Sequence, residues 1–215
     1  MTVAALFEPL MIALILTNLA LLVTSRTGVL IRLIALQGAL LAFAPLFPVA
    51  NLPAHLALLC LAVFTIKAVA FPYLLSRTLR RIDADSRIEP YLGGGLSAAA
   101  GIGGLLFSLW LENRLPVPPG LFAPLLFPAA LTTIFTGLIL VVTRKNALTQ
   151  VIGYLAAENG IFLFGAPLSR QGSVWLELSI LLDVFVGVFV MGIAIHHINK
   201  TFESIDVGRF CTLRD

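Results

Sequence analysis

The chain has 215 residues, of which 59% are hydrophobic and 12% charged, with a formal net charge of +3. Soluble globular domains carry about a quarter charged residues, so this composition excludes an ordinary soluble enzyme and points to an integral membrane protein. The two cysteines, Cys60 and Cys211, sit in no metal-ligand spacing, and there is neither a glycine-rich phosphate loop nor a basic nucleic-acid patch; no metal or cofactor is expected on this chain itself.

A helix needs about 20 apolar residues to cross a hydrocarbon core of about 30 Å. Seven such runs follow one another, at about 3–25, 27–49, 53–76, 91–111, 121–143, 147–168 and 174–198. The first has no basic flank and no small-residue cleavage site, so it reads as a retained span rather than a signal peptide. Span two carries Gln37 and span three Lys67. Span four opens "GGGLSAAAGIGG", with Gly93, Ser97 and Gly101 four apart and Gly95, Ala99 and Gly103 on an adjoining stripe. Such small-residue stripes let helices approach closely. Span six holds Glu158 and Asn159 at its centre; span seven holds Asp183 at its centre and His196 and His197 at its end. The expected fold is all-α: a polytopic membrane protein of about seven transmembrane helices.

Orientation follows from the basic residues of the loops. Arg26, Arg77, Arg80, Arg81, Arg87, Arg144, Lys145, Lys200, Arg209 and Arg214 fall on one side, against Arg114 and Arg170 on the other. The chain is therefore expected with its N-terminus outside and its C-terminus cytoplasmic.

The hydrophilic insert at 76–90 divides the chain into halves of similar design. "ALQGALLAFAPLF" in span two corresponds to "AAENGIFLFGAPL" in span six, and Val23-Thr24 to Val142-Thr143. This reads as a duplicated three-helix unit in parallel orientation, with span four as connector; the alternative is chance similarity between apolar helices. The expected organisation is an N-terminal three-helix unit with its loop (1–90), a connecting helix (91–120), a C-terminal three-helix unit (121–198) and a cytoplasmic tail (199–215).

Three charges lie near the middle of spans: Lys67, Glu158 and Asp183. Each costs about 2.5–3.5 kcal/mol to insert, so each should face the bundle interior, a wet cavity or a partner. Arg32, Glu8 and Glu177 lie closer to span ends, where their side chains can reach the interface. Counted from the short loop "SRQGS", Glu158 and Asp183 both lie about 14 Å deep. Burial favours the protonated form of a carboxyl and a nearby cation the ionised form, so two depth-matched acids beside a lysine have what a proton relay needs. Gln37 and Asn159 fit either a relay or interhelical packing. His196 and His197 fit proton entry or a helix end.

These residues carry a resemblance. "TRKNALTQVIGYLAAENGIFLFG" followed by "ELSILLDVFVGVFVMGIAIHHI" resembles the K subunit of respiratory complex I and the C subunit of Mrp-type cation antiporters. Glu158 and Asp183 match the two helix carboxylates of that pattern, with aspartate where complex I usually has glutamate. Over its whole length, including the "FESID" tail, the chain is more similar to hydrogenase-4 component E, a membrane subunit of formate hydrogenlyase-type group 4 hydrogenases. The resemblance implies a non-catalytic subunit of an oxidoreductase complex. It would carry a midplane relay of Glu158, Asp183 and Lys67 for proton or sodium translocation. Its implied partners are antiporter-like membrane subunits, a membrane anchor subunit and cytoplasmic hydrogenase subunits holding the nickel-iron centre and iron–sulfur clusters. An Mrp-like antiporter subunit, a self-contained small transporter and a structural scaffold are the competing readings.

Overall fold

The computed structural model describes residues 3–43, 54–82, 93–115 and 125–165, together with Gly192. Among these, every regular element is helical. Helix α1 spans Val3–Val23 and α2 Thr27–Phe43; α3 (Ala54–Phe64) runs through a π-helical segment, Thr65–Ala70, into α4 (Phe71–Ile82) as one rod. Helices α5 (Gly94–Glu112), α6 (Leu126–Thr143) and α7 (Ala147–Gly165) complete the set. Six rods thus stand on the first six expected spans. The stretches Cys60–Arg80, Gly94–Glu112 and Leu126–Thr143 are long and apolar enough to cross a membrane, and Phe7–Val23 and Thr27–Phe43 form shorter apolar helices. The expected seventh span, with Asp183, His196 and His197, lies outside the described residues.

One boundary differs from expectation. The polarity of 76–90 predicts a loop, yet α4 continues to Ile82. Leu75 and Thr78 stay buried while Arg77 and Arg80 are more exposed, so an amphipathic stripe carries the helix past the point where its composition turns polar.

The π segment has a local cause. Pro72 has no N–H to donate, and in an α-helix its ring would press on the carbonyl four residues back. The preceding turn widens instead, and the Phe71 N–H reaches Ile66 O, five residues away. Widened turns of this kind recur at functional sites, and Lys67 lies on this one.

Two apolar clusters divide the core. One joins Leu21 and Leu22 of α1, Leu30, Ile31 and Ile34 of α2, Phe71 and Leu75 of α4, Leu140 of α6 and Leu148, Val151 and Ile152 of α7. The other joins Phe7, Met11 and Leu14 of α1, Leu41 and Ala42 of α2, Val63 of α3, Ala129 and Ala130 of α6 and Phe162 and Leu163 of α7. The order in which each helix passes from one cluster to the other sets its direction. Helices α1 and α6 run one way, α2 and α7 the other, and α1 packs on α6 as α2 packs on α7.

Helices α6 and α7 are joined most intimately. A Cβ placed on Gly137 would lie 2.3 Å from the Ala157 backbone nitrogen, and one on Gly160 would lie 2.6 Å from that of Ile134. With backbone rather than a flexible side chain in the way, only glycine fits at either position. Helix α5 uses one of its two small-residue stripes: Ser97 and Gly101 are buried, whereas Gly95, Ala99 and Gly103 are exposed within this chain.

At one end the two hairpins are tied by Arg144, which follows α6 and is 2% exposed. Its guanidinium donates to Leu22 O at 2.9 Å and Thr24 O at 3.2 Å. Leu22 O belongs to the last turn of α1, where carbonyls have no helical partner of their own, and Thr24 O lies one residue past it; a cation there also meets the favourable end of the helix dipole. Next door, Asn146 caps α7 by accepting the Leu148 N–H at 3.0 Å, as a side-chain oxygen does at a helix start.

Candidate functional site: a charged pair in a buried polar layer

Between the two apolar clusters each of five helical rods turns polar at the same level. Thr17 and Asn18 of α1, Gln37 of α2, Lys67 of the π segment, Thr132, Thr133 and Thr136 of α6, and Glu158 and Asn159 of α7 are all buried. In every rod these residues separate the stretch that belongs to one cluster from the stretch that belongs to the other. Glu158 stands eleven residues in from the start of α7, about 16 Å along its axis.

The charged half of the layer is a pair. Lys67 Nζ donates to Glu158 Oε1 at 2.5 Å, with side chains 3% and 2% exposed. The same ammonium donates to Asn159 Oδ1 at 3.2 Å and lies 5.8 Å from the centre of the Phe162 ring. An ammonium has only donors, so two oxygens and a ring face are the surroundings it requires. Helix α2 presses against it from the other side. A Cβ on Gly38 would lie 2.8 Å from Lys67 Cβ and 2.9 Å from its carbonyl oxygen, so glycine is what lets α2 sit against the lysine's backbone.

The neutral half is a hydrogen-bonded chain of amides and hydroxyls. Gln37 Nε2 donates to Asn18 Oδ1 at 2.7 Å and to Thr17 Oγ1 at 3.2 Å. Asn18 Nδ2 donates to Thr133 Oγ1 at 2.7 Å, and the Thr133 hydroxyl donates to Ala129 O at 2.6 Å. Gln37 Oε1 and Thr136 Oγ1 are buried without a hydrogen-bond partner among the described residues.

The structure therefore brings together four of the residues singled out from sequence: Lys67, Glu158, Asn159 and Gln37. Asp183, His196 and His197 lie outside the described residues. Sequence reasoning missed Thr17, Asn18 and Thr133. Asn18 carried a readable signal as an amide in an otherwise apolar span; the threonines did not, because threonine hydroxyls commonly fold back on their own helix. Arg144, counted from sequence as a loop charge, is a buried clamp. Among the described residues no three His, Cys, Asp or Glu side chains come together as metal ligands.

The chain is similar to hydrogenase-4 component E. It is 27% identical to that protein of Escherichia coli strain K12 over 155 residues, an alignment covering 71% of each chain. The same figures hold for the protein of that name from Shigella flexneri. It is also 28% identical over 188 residues to the uncharacterized protein Rv0085 of Mycobacterium tuberculosis, covering 86% of this chain and 85% of that one. No family model matches the sequence, and no solved structure matches it.

Proposed function

We propose that this chain is a non-catalytic, integral membrane subunit of a group 4 [NiFe] hydrogenase complex of the formate hydrogenlyase type. In this reading it lies in the inner membrane and contributes Glu158, Lys67 and Asp183 to ion translocation coupled to electron transfer. The observation that carries the reading is the buried Lys67–Glu158 pair, set halfway along the rods in a polar layer with an apolar cluster on either side. Two charges so placed are costly unless paired and hydrogen-bonded, and a pair needed only for packing could be replaced by apolar side chains at no loss of stability. The similarity to proteins named hydrogenase-4 component E supports the kind of complex. The redox centres belong, in this reading, to cytoplasmic partner subunits, and the exposed apolar side chains of α5, among them Leu106 and Trp110, are available to lipid or membrane partners. The shared directions of α1 with α6 and of α2 with α7 agree with a duplicated unit.

The test is purification of the tagged full-length chain from its host in mild detergent, followed by ion-uptake assays on membrane vesicles. Nickel, iron and hydrogenase activity should travel with the chain. Glu158→Gln should leave assembly and hydrogen turnover in place while coupled ion uptake falls at least tenfold. Recovery of the chain alone, without hydrogenase subunits, would sink the complex-subunit reading. Undiminished uptake in Glu158→Gln would remove the pair from the mechanism.

A further inference from the structure

The neutral half of the polar layer presents an unmet acceptor. Gln37 is 0% exposed, and its amide nitrogen donates both to Asn18 Oδ1 and to Thr17 Oγ1. The oxygen, Oε1, accepts nothing among the described residues. A buried amide oxygen left bare costs about 1–3 kcal/mol, and buried polar groups in folded proteins are almost always satisfied by protein or by internal water. The next residue, Gly38, rests directly against the Lys67 backbone, and Gln37 lies in the same buried layer as the charged pair. Thr136 Oγ1 is a second bare hydroxyl in the same layer.

Two guests seek amide and hydroxyl oxygens at such a site: water and a monovalent cation. Charge and proton placement favour water. The amide oxygen of Asn18 and the hydroxyls of Thr17 and Thr133 already accept N–H groups from their neighbours. A cation would have to turn those donors away. It would also share the buried layer with the Lys67 ammonium, and like charges in a low-dielectric interior repel. Water meets neither obstacle, because it can donate to Gln37 Oε1 and accept from a hydroxyl or ammonium.

We propose that Gln37, held in place by Asn18 and Thr17, fixes internal water in the buried layer it shares with the Lys67–Glu158 pair, and that this water, not the amides, carries protons to and from the pair. The inference rests on the translocation reading above and names its ion as the proton. Gln37 is a positioning residue here: it fixes the water and itself exchanges no proton.

The test uses the full-length chain in vesicles from its native host, driven by hydrogenase turnover, with a pH-sensitive dye and radioactive sodium as parallel probes. Wild-type vesicles should acidify or alkalinise at the same rate with or without sodium and take up no sodium. Gln37→Leu should cut proton movement at least tenfold while hydrogen turnover continues; Gln37→Glu, which keeps an acceptor of the same reach, should retain most of it. Infrared difference spectra in water labelled with oxygen-18 should show an isotope-sensitive internal-water band that Gln37→Leu abolishes. If Gln37→Leu does not assemble, Gln37→Met takes its place, and the wild-type water band and the sodium assay still decide. Sodium uptake by wild type, absence of an internal-water band, or full proton movement in the leucine or methionine variant overturns the proposal. Loss of movement in Glu158→Gln together with full movement in Gln37→Leu overturns this inference alone; full movement in both variants overturns the relay reading as well.

Discussion

Gly38 and Lys67 touch backbone to backbone. A single methyl group on the glycine would fall 2.8 Å from Lys67 Cβ and 2.9 Å from its carbonyl carbon. This contact sets the distance between α2 and the π segment, and with it the place from which the lysine side chain reaches across to α7. Overpacking a well-filled interior costs about 1–3 kcal/mol. Gly38→Ala should therefore lower the thermal midpoint of the purified chain or its complex. Because the strain falls on Lys67 itself, it should reduce ion coupling by more than Gly28→Ala, where a Cβ meets nothing within 4 Å. Equal effects of the two substitutions on coupling would detach Gly38 from the site.

The Lys67–Glu158 pair joins residues 91 positions apart, so it tests stability and function separately. Removing one partner of a buried pair costs about 3–5 kcal/mol, while replacing both by apolar groups of similar size is often neutral. Lys67→Met and Glu158→Leu should each destabilise strongly. The double variant should melt within about 1 kcal/mol of the parent by the same principle. Ion coupling should stay lost in all three, as measured in vesicles. Coupling that returns with stability in the double variant would make the pair a packing device.

Much of this fold was legible in the chain. Six helical rods stand where runs of apolar residues placed them, because length and hydropathy alone decide which segments can cross a bilayer. The cost of Glu158 and Lys67 in an apolar run also announced a site, although nothing in linear order paired them. That pairing depends on α2 and α7 packing side by side and on the turn widened before Pro72, and neither is a pattern in composition. The glycines that bring α6 onto α7 were equally silent. Gly137 and Gly153 resemble any small residue in an apolar helix until the opposing backbone is seen 2.3 and 2.8 Å from their missing Cβ atoms. Arg144 was misleading in sequence, since a basic residue between two spans ordinarily lies in water.

The buried position of Arg144 gives a prediction with a defined pH dependence. Burial pushes its guanidinium below the usual value, so desolvation works against the charged form in the fold. A base whose folded value is lowered costs stability while it is charged, and the cost is relieved only as pH rises through that value towards the unfolded one. An arginine guanidinium stays charged throughout the working range, so this contribution should be flat between about pH 6 and 9. Arg144→Leu removes the donors to Leu22 O and Thr24 O, and hydrogen bonds from charged donors contribute about 1.5–3 kcal/mol each. The variant should melt earlier by the same margin at every pH in that window. Arg144→Lys, a point charge with no planar fork, should recover part of the loss. A loss that changes with pH across the window would show a titrating partner at the clamp.

The amide network offers a cleaner separation still, because its members carry no charge. Asn18→Leu takes the acceptor from Gln37 Nε2 and the donor from Thr133 Oγ1. Leaving a buried amide half bare costs about 1–3 kcal/mol. Replacing both ends by apolar groups of similar size removes the penalty along with the bond, so Asn18→Leu combined with Gln37→Leu should be more stable than Asn18→Leu alone. Stability and transport should then move in opposite directions. Asn18→Leu keeps the Gln37 oxygen and its water and should retain partial proton movement, whereas the more stable double variant should have almost none. Thermal melts and vesicle assays on the same preparations check this. If transport instead rises and falls with stability across the set, the network serves only to lock α1, α2 and α6 together.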